Sequence, residues 1–328
     1  MTLSLETMRT LAVILVALCA TSLSAAEKWV CPGRINGGWA VSGDHFYSIG
    51  GTGAGGENSI WHITLDPKTH LPVSGCGEGK ILDSGAQFGG TFGAVSGKWL
   101  YVVGGNPGGE GMPGVIRYTI GECGKLSDRT VLAKTPHPKL GQAGCCASGK
   151  WLVFAGGWQT REAFAAEVKA NGDLGEWTKI RPLPTNSFCG NRMFRLGKRI
   201  FVSGSPLYAQ PTDRVYSTEV DETGLPTKWR RWAELPEAAW SYSFFPLDAQ
   251  TICFAVPETG AIYTAPVDTE GEIGAWTKNA ATLPDSDGCI GYELAPLSRT
   301  HLLRFSGLKN EPRRWIDSQI VELKWMMR

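Results

Sequence analysis

The chain is short of most residues that announce chemistry. It has 5 histidines, and His45, His62, His70, His137 and His301 share no spacing that makes metal ligands. Its cysteines form no CxxC pair, which argues against a zinc site. No GxSxG marks a nucleophilic serine. An excess of charge of one sign is also missing: 32 Lys and Arg stand against 31 Asp and Glu, a formal net charge of +1. Such a balance offers no electrostatic footprint for nucleic acid or an anionic membrane. Long apolar runs are absent too, since Leu11–Ala20 spans only about ten residues, too few to cross a bilayer. The expectation is therefore no metal, no cofactor, no nucleic acid and no membrane span.

That one apolar stretch reads as an export signal. Arg9 supplies the positive region before it, and Ser24 and Ala26 fall at the small positions before a cleavage site. Leu18 precedes Cys19 where a lipoprotein signal carries a small residue, which disfavours a lipid anchor. The expected organisation is a signal peptide over 1–26 and one domain over 27–328, secreted or periplasmic. Of 9 cysteines, Cys19 leaves with the signal; Cys31, Cys76, Cys123, Cys145, Cys146, Cys189, Cys253 and Cys289 remain. An even number in an oxidising compartment permits disulfides and leaves their connectivity open.

What the chain does have is glycine, tryptophan and repetition. Its 42 Gly and 13 Trp are distributed over six copies of a cassette about 50 residues long, from Trp29 to Trp325. Each copy reads as a small or mixed strand, a turn, an apolar strand, a third strand, then Trp and Leu-Pro. The apolar strand with its glycine doublet is plain at Phe46–Gly51, Leu100–Gly105 and Leu152–Gly157. The closing strand is plain at Trp177…Leu183-Pro184, Trp229…Leu235-Pro236 and Trp276…Leu283-Pro284. Gly43, Gly97, Gly149 and Gly197 mark the first turn, with Ala249 and Thr300 at the matching points of the weaker copies. Third strands fall at Ser59–Leu65, Gly114–Ile120, Ala163–Val168, Arg214–Val220, Ala261–Val267 and Ser318–Leu323, most of them alternating apolar with polar. Asn171-Gly, Thr223-Gly and Glu270-Gly announce the outer strands. The last copy stops after its third strand, and Glu27-Lys-Trp29 matches Glu176-Trp177 and Ala275-Trp276. Trp29 is thus expected to open the strand that completes the last blade, hiding two sheet edges.

These elements resemble the kelch/galactose-oxidase-type β-propeller over nearly all of the mature chain. The resemblance implies an all-β ring of six blades, closed by the N-terminal strand. Copy one carries Gly75 and copy two Arg129 near the place of the Trp, while copies four and five replace the doublet with Gly204-Ser205 and Val256-Pro257. A copper-radical site of the galactose-oxidase kind is not expected, because His-rich inner loops are missing. No Trp-Asp doublet ends a strand and no sialidase-type Asp box is present.

Two local motifs have plain readings. Gly51–Gly56 satisfies GxGxxG, but a strand pattern follows where a dinucleotide loop needs a helix. Gly104–Gly114 lacks the Lys-Ser/Thr of a phosphate loop. Cys145-Cys146 is the oddest feature. On an inner strand the two point to opposite faces, so one is expected to line the channel and the other to pack between sheets. The reading favoured is two small side chains near the axis, one of them bonded to Cys189 or Cys253, over a strained vicinal disulfide. Cys76 and Cys123 form a second candidate pair.

Candidate site residues follow from the repeat's phase, which places the loops before each inner strand and after each second strand on one face. Binding sites concentrate on loops held by a rigid scaffold. Arg34, Asn36, Gln87, Phe88, His137, Asn186, Arg192, Trp240, Tyr242, Asp285 and Asp287 fall there. Longer loops add Glu57, Glu110, Trp158, Arg161, Tyr208, Glu258, Arg313 and Arg314. Aromatics beside Arg, Asn and Asp suit a carboxylated or hydroxylated sugar. Three functions fit: a monomeric module binding a sugar or a protein, an enzyme, or an envelope scaffold. The enzymatic reading is a resemblance to exported kelch-type sialic-acid mutarotases in signal peptide, size and blade number. It implies Arg192 as carboxylate anchor and Asp285, Asp287 or Glu293 as acid–base.

Overall fold

A computed structural model describes residues 34–35, 37–53, 59–80, 91–104, 114–132, 135–136, 143–157, 160–185, 192–203, 215–232, 235–239, 243–256, 258–284, 289–290, 293–305, 308–310, 313–315 and 319–324. The expected hairpin turns set the frame. Ser42 pairs with His45, Ser96 with Trp99, Ser148 with Trp151 and Leu196 with Arg199, so only two residues bridge each pair of strands. The first bridging residue is Gly43, Gly97, Gly149 or Gly197, at φ +55 to +58. Glycine alone takes that conformation without strain, and such turns match the twist of the strands they join. Ala249 holds the place in the fifth copy, and there the register shifts between Pro246 and Asp248.

Six antiparallel sheets result, one per copy, arranged as a six-bladed propeller. From the axis outward, blade 1 is Gly38–Ser42, His45–Ile49, Ser59–Leu65 and Pro72–Lys80. Blade 2 is Thr91–Ser96, Trp99–Gly104, Ile116–Ile120 and Leu126–Val131. Blade 3 is Gly144–Ser148, Trp151–Ala155, Ala163–Glu167 and Thr178–Ile180. Blade 4 is Arg192–Leu196, Arg199–Ser203, Val215–Glu219 and Arg230–Arg231. Blade 5 is Ser243–Asp248, Thr251–Val256, Ala261–Pro266 and Thr277–Lys278. Blade 6 is described as Glu293–Pro296, His301–Phe305 and Gln319–Glu322. The completing strand expected at Trp29 lies outside the described residues.

The second strands of blades 4 and 5 are buried along their whole length, and the apolar run at the centre of each is what two covered faces require. The core is accordingly divided by interface. Six apolar clusters form, each shared by two neighbouring blades. One of them packs Phe46, Ile63 and Leu65 of blade 1 against Ala295, Leu297 and Leu303 of blade 6, which closes the ring. Trp177, Trp229 and Trp276 lie against the interface with the preceding blade; Trp177 meets Phe154 at 4.8 Å and Trp276 meets Phe254 at 6.2 Å between ring centroids.

Polar latches add direction to this packing. The turn before the outer strand of each of blades 2 to 5 carries a left-handed glycine: Gly124, Gly172, Gly224 and Gly271. Each lies over the preceding blade. The Tyr47 hydroxyl donates to the Gly124 carbonyl at 2.6 Å, Tyr101 to Gly172 at 2.8 Å and Ser148 to Gly224 at 2.6 Å. Burial pushes the Tyr101 phenol up to about 12, so it remains a donor at neutral pH. At the next interface Arg199 donates to Glu272 at 2.6 Å. A buried neutral hydrogen bond contributes about 1 kcal/mol net.

The latches make glycine substitutions unequal. A Cβ on Gly224 would meet the Ser148 carbonyl oxygen at 2.6 Å, whereas one on Gly43 meets nothing within 4 Å. Both positions have positive φ, so Gly43→Ala is expected to cost about 1 kcal/mol for that conformation alone. Gly224→Ala is expected to cost about 3 kcal/mol, because the neighbouring backbone must also shift. Urea unfolding of the two variants measures this; equal losses would mean the turn does not seat on blade 3.

Candidate functional site

Inner strands present an edge to the axis, not a face. Their side chains pack into the two flanking interfaces, and the inner strands themselves wall the centre. The axis holds a cavity of about 310 Å³, walled by the inner strands of blades 1 to 5. Trp39, Phe92, Cys145, Cys146, Arg192 and Phe245 are among its lining residues. Trp39 sets its edge against the Phe245 ring, with centroids 6.1 Å apart. Below, a second and mainly apolar recess of about 330 Å³ is lined by Trp39, Val41, Leu196, Pro246 and Leu297.

Arg192 is the one candidate whose side chain is described at the channel mouth. It begins the inner strand of blade 4, half-buried, and reaches across the axis. Its Nη2 donates to the Gly37 carbonyl of blade 1 at 3.3 Å. Its guanidinium carbon lies 5.1 Å from the centroid of the Phe92 ring in blade 2, a cation–π distance. Three blades therefore set one cation at the mouth. Arg195, at the other end of the strand, donates to the Gly197 carbonyl at 3.3 Å and to Ser148 Oγ at 3.4 Å.

Other candidates are placed through the backbone. Arg34 lies in a short strand paired with Gly53, and Glu293 opens the inner strand of blade 6 opposite Phe305. Arg313 and Arg314 lie in a strand paired with Leu308–Asn310. Arg161 and Glu258 are exposed. Asn36, Glu57, Gln87, Phe88, Glu110, His137, Trp158, Asn186, Tyr208, Trp240, Tyr242, Asp285 and Asp287 lie outside the described residues. Arg304 is wholly buried and its Nη1 donates to the Pro284 carbonyl.

The cysteine expectations need correction. Cys145 and Cys146 point to opposite faces and both pack between sheets, Cys145 in the cluster of blades 2 and 3 and Cys146 in that of blades 3 and 4, and both also line the axial cavity, where only one was expected. The edge-on inner strand is the reason. Cys123, Cys145, Cys146 and Cys253 are all free thiols. That removes the vicinal disulfide, a bond from either residue to Cys189 or Cys253, and the Cys76–Cys123 pair. Burial pushes the Cys146 thiol up to about 12, outweighing the pull of the Arg195 cation, and raises Cys145 and Cys253 as well. These thiols stay protonated and are poor nucleophiles.

Spacing also missed a pair. His62 Nε2 lies 3.1 Å from His45 Nδ1, and His62 stacks on Tyr47 with centroids 5.2 Å apart. Aligning the copies would have revealed it, because His45 and His62 occupy the register positions of Trp99 and Arg117. Both imidazoles touch Gly124, so the pair serves the latch between blades 1 and 2. Among the described residues no group of three or more His, Cys, Asp or Glu could hold a metal. No helix among them is long and apolar enough to cross a membrane.

No protein-family model and no curated protein matches the sequence. Solved structures do match. The structure of YjhT superposes with a TM-score of 0.63 over 91% of this chain and 99% of that one, at 13% identity. At that identity the likeness shows the fold alone.

The raised thiol pKa values carry a sign. A group whose folded pKa exceeds its unfolded value, about 8.5 for cysteine, stabilises fully below that value and progressively loses its contribution above it. Folded protein at pH 8 treated with iodoacetamide should be alkylated at Cys123 and spared at Cys145, Cys146 and Cys253, as read by peptide mass mapping. Stability should fall on raising the pH beyond about 9, where unfolded thiols ionise. Alkylation of Cys146 in the folded state would contradict its burial.

Proposed function

We propose that this chain is an exported β-propeller that binds a small acidic, hydroxyl-bearing molecule, a carboxylated sugar, at the mouth of its central channel. The observation that carries the reading is the seating of Arg192 by Gly37 and Phe92, contributed by two other blades. A guanidinium is a planar fork that matches two carboxylate oxygens, and a cation held over a ring is oriented before the ligand arrives. The half-buried setting weakens competition from water. Trp240 and Tyr242, which the phase of the repeat assigns to this face, would stack on a sugar ring, and Asn36, Gln87, His137 and Asn186, assigned there likewise, would read its hydroxyls. A protein partner presenting an acidic side chain at this mouth satisfies the same chemistry.

Isothermal titration against glucuronate, galacturonate and sialic acid, with glucose and galactose as neutral controls, tests the proposal. Binding is expected for the acids alone, and Arg192→Gln should weaken it about tenfold or more, the scale of a charge-assisted hydrogen bond. Equal binding of neutral sugars, or an Arg192→Gln protein that binds as tightly as the parent, would remove the reading.

A second reading rests on the position of Glu293, which opens the inner strand of blade 6 at the same end of the ring as Arg192. A carboxylate there, with Asp285 and Asp287 in the preceding loop, would move a proton at the anomeric centre of a bound acidic sugar. Exchange spectroscopy between the two anomers of sialic acid should then show faster interconversion with the protein, reduced in Glu293→Gln or in Asp285→Asn with Asp287→Asn. Unchanged exchange rates leave a binding module.

A further inference from the structure

Beneath Arg192 the axial cavity is not built for hydroxyl groups. Its wall takes three or four residues from the inner strand of each of blades 1 to 5, Arg192–Arg195 among them. At about 3.3 Å per residue, that is a depth on the order of 10 Å. Among the described residues that line it, none carries a carboxylate, an amide or a hydroxyl group. Phe92, Ala94, Cys145, Cys146 and Phe244 are all buried there, so the wall is made of rings, a methyl group and thiols. The charged exception at the lower end is Arg195, which turns to the Gly197 carbonyl and to Ser148 Oγ.

The apolar wall continues downward. Trp39, Val41 and Pro246 line both this cavity and the recess below it, where Leu196, Leu247 and Leu297 join them. Trp39 is fixed at the junction. Its ring stacks on Phe46 with centroids 6.3 Å apart and meets Phe245 edge-on at 6.1 Å. Asp248 also lines the recess, and its Oδ1 accepts from the Gln250 backbone N–H at 2.7 Å. Val41 is 37% exposed, so the passage reaches solvent at this end. A cation at the mouth thus stands over an apolar passage. A sugar ring drawn into the passage would lose its hydration with no polar side chain to replace it, whereas an alkyl or aryl group gains by burial there.

We propose that the ligand of this channel is an amphiphile, an acidic sugar bearing an alkyl or aryl substituent that runs down the axis from Phe92 to Trp39. The inference rests on the binding reading above and adds the substituent to it. The carboxylate stays at the mouth with Arg192, and the sugar hydroxyls stay with it among the loops. The substituent passes the thiols of Cys145 and Cys146, and its far end lies beside Val41 and Pro246.

The probes are methyl, butyl, hexyl and octyl glucuronides, with the matching glucosides, titrated calorimetrically into the full chain below their micelle concentrations. Affinity for the glucuronides should rise about tenfold or more from methyl to hexyl, within the ceiling of about fourfold per buried methylene. Arg192→Gln should weaken every glucuronide by a similar factor and keep the ratio between long and short chains. Val41→Asp, at an exposed position, should cut the gain between hexyl and octyl, because it sets a charge against the end of the chain. An octyl glucuronide with a photoreactive diazirine at the chain end should label the inner strands near Val41 and Pro246, as read by peptide mass mapping. Equal affinity along the glucuronide series, or labelling confined to the outer strands, overturns the proposal and leaves the acid-binding reading standing. Glucosides that bind as tightly as glucuronides of the same length, or no binding of any glucuronide, overturn the acid-binding reading and this proposal with it.

Discussion

A left-handed glycine that brings one blade's turn against its neighbour is the constraint on which the ring depends. Apolar clusters alone would let adjacent sheets slide, because dispersion and burial are non-directional. Tyr47, Tyr101 and Ser148 each end that freedom by donating to a turn carbonyl that only glycine can present so closely. The solution varies with the residue available. Tyr47 and Tyr101 reach from the third position of the second strand, Val153 occupies that position in blade 3, and Ser148 of the inner strand takes over. At Arg199 an ion pair replaces the hydroxyl, with the guanidinium 4.9 Å from the Trp232 ring centroid.

Fixing the angle between blades also fixes what reaches the axis. Inner strands wall the central cavity with mostly small or apolar residues, and a cation reaches it from one of them. Arg192 does so from blade 4, and it meets Gly37 of blade 1 and Phe92 of blade 2. The position of that cation is thus determined by three separately folded sheets, which preorganises it in a way that a single loop would not. The free cysteines have the opposite character. Cys145 and Cys146, small and apolar, pack into the interfaces flanking blade 3 and reach the cavity only as part of its wall.

Much of the ring could be read from the residues. The turn glycines stand where φ is positive, and the apolar doublets follow strands buried on both faces; each is a local requirement visible without knowledge of the neighbours. The outer-strand turns were also foreseen, at Asn171-Gly, Thr223-Gly and Glu270-Gly. Their seating on the previous blade was not, since it depends on residues some fifty to eighty positions away. The same limit applies to His45 and His62, which meet only because two strands pair in register. The expectation that one of Cys145 and Cys146 lines the channel while the other packs between sheets did not separate them, because each does both. Alternation assigns side chains to faces, and only the tilt of the sheet says where each face points. Of the candidate site, Arg192 lies at the mouth as its place in the repeat suggested, while its reach to Phe92 follows from side-chain length and ring diameter.

The seam where Phe46, Ile63 and Leu65 meet Ala295, Leu297 and Leu303 has a kinetic meaning. Every other interface joins blades that are consecutive along the chain and can form as soon as both sheets exist. The seam joins the first blade to the last, so it is a loop closure over most of the polypeptide. The entropy of that closure grows only slowly with length, but such distant pairing slows folding. Until it happens, the flanks of blades 1 and 6 are both uncovered, and a second molecule could meet either one. Ring closure is therefore the step at which correct folding competes with association, and the apolar packing of those six side chains weights that competition toward the closed ring.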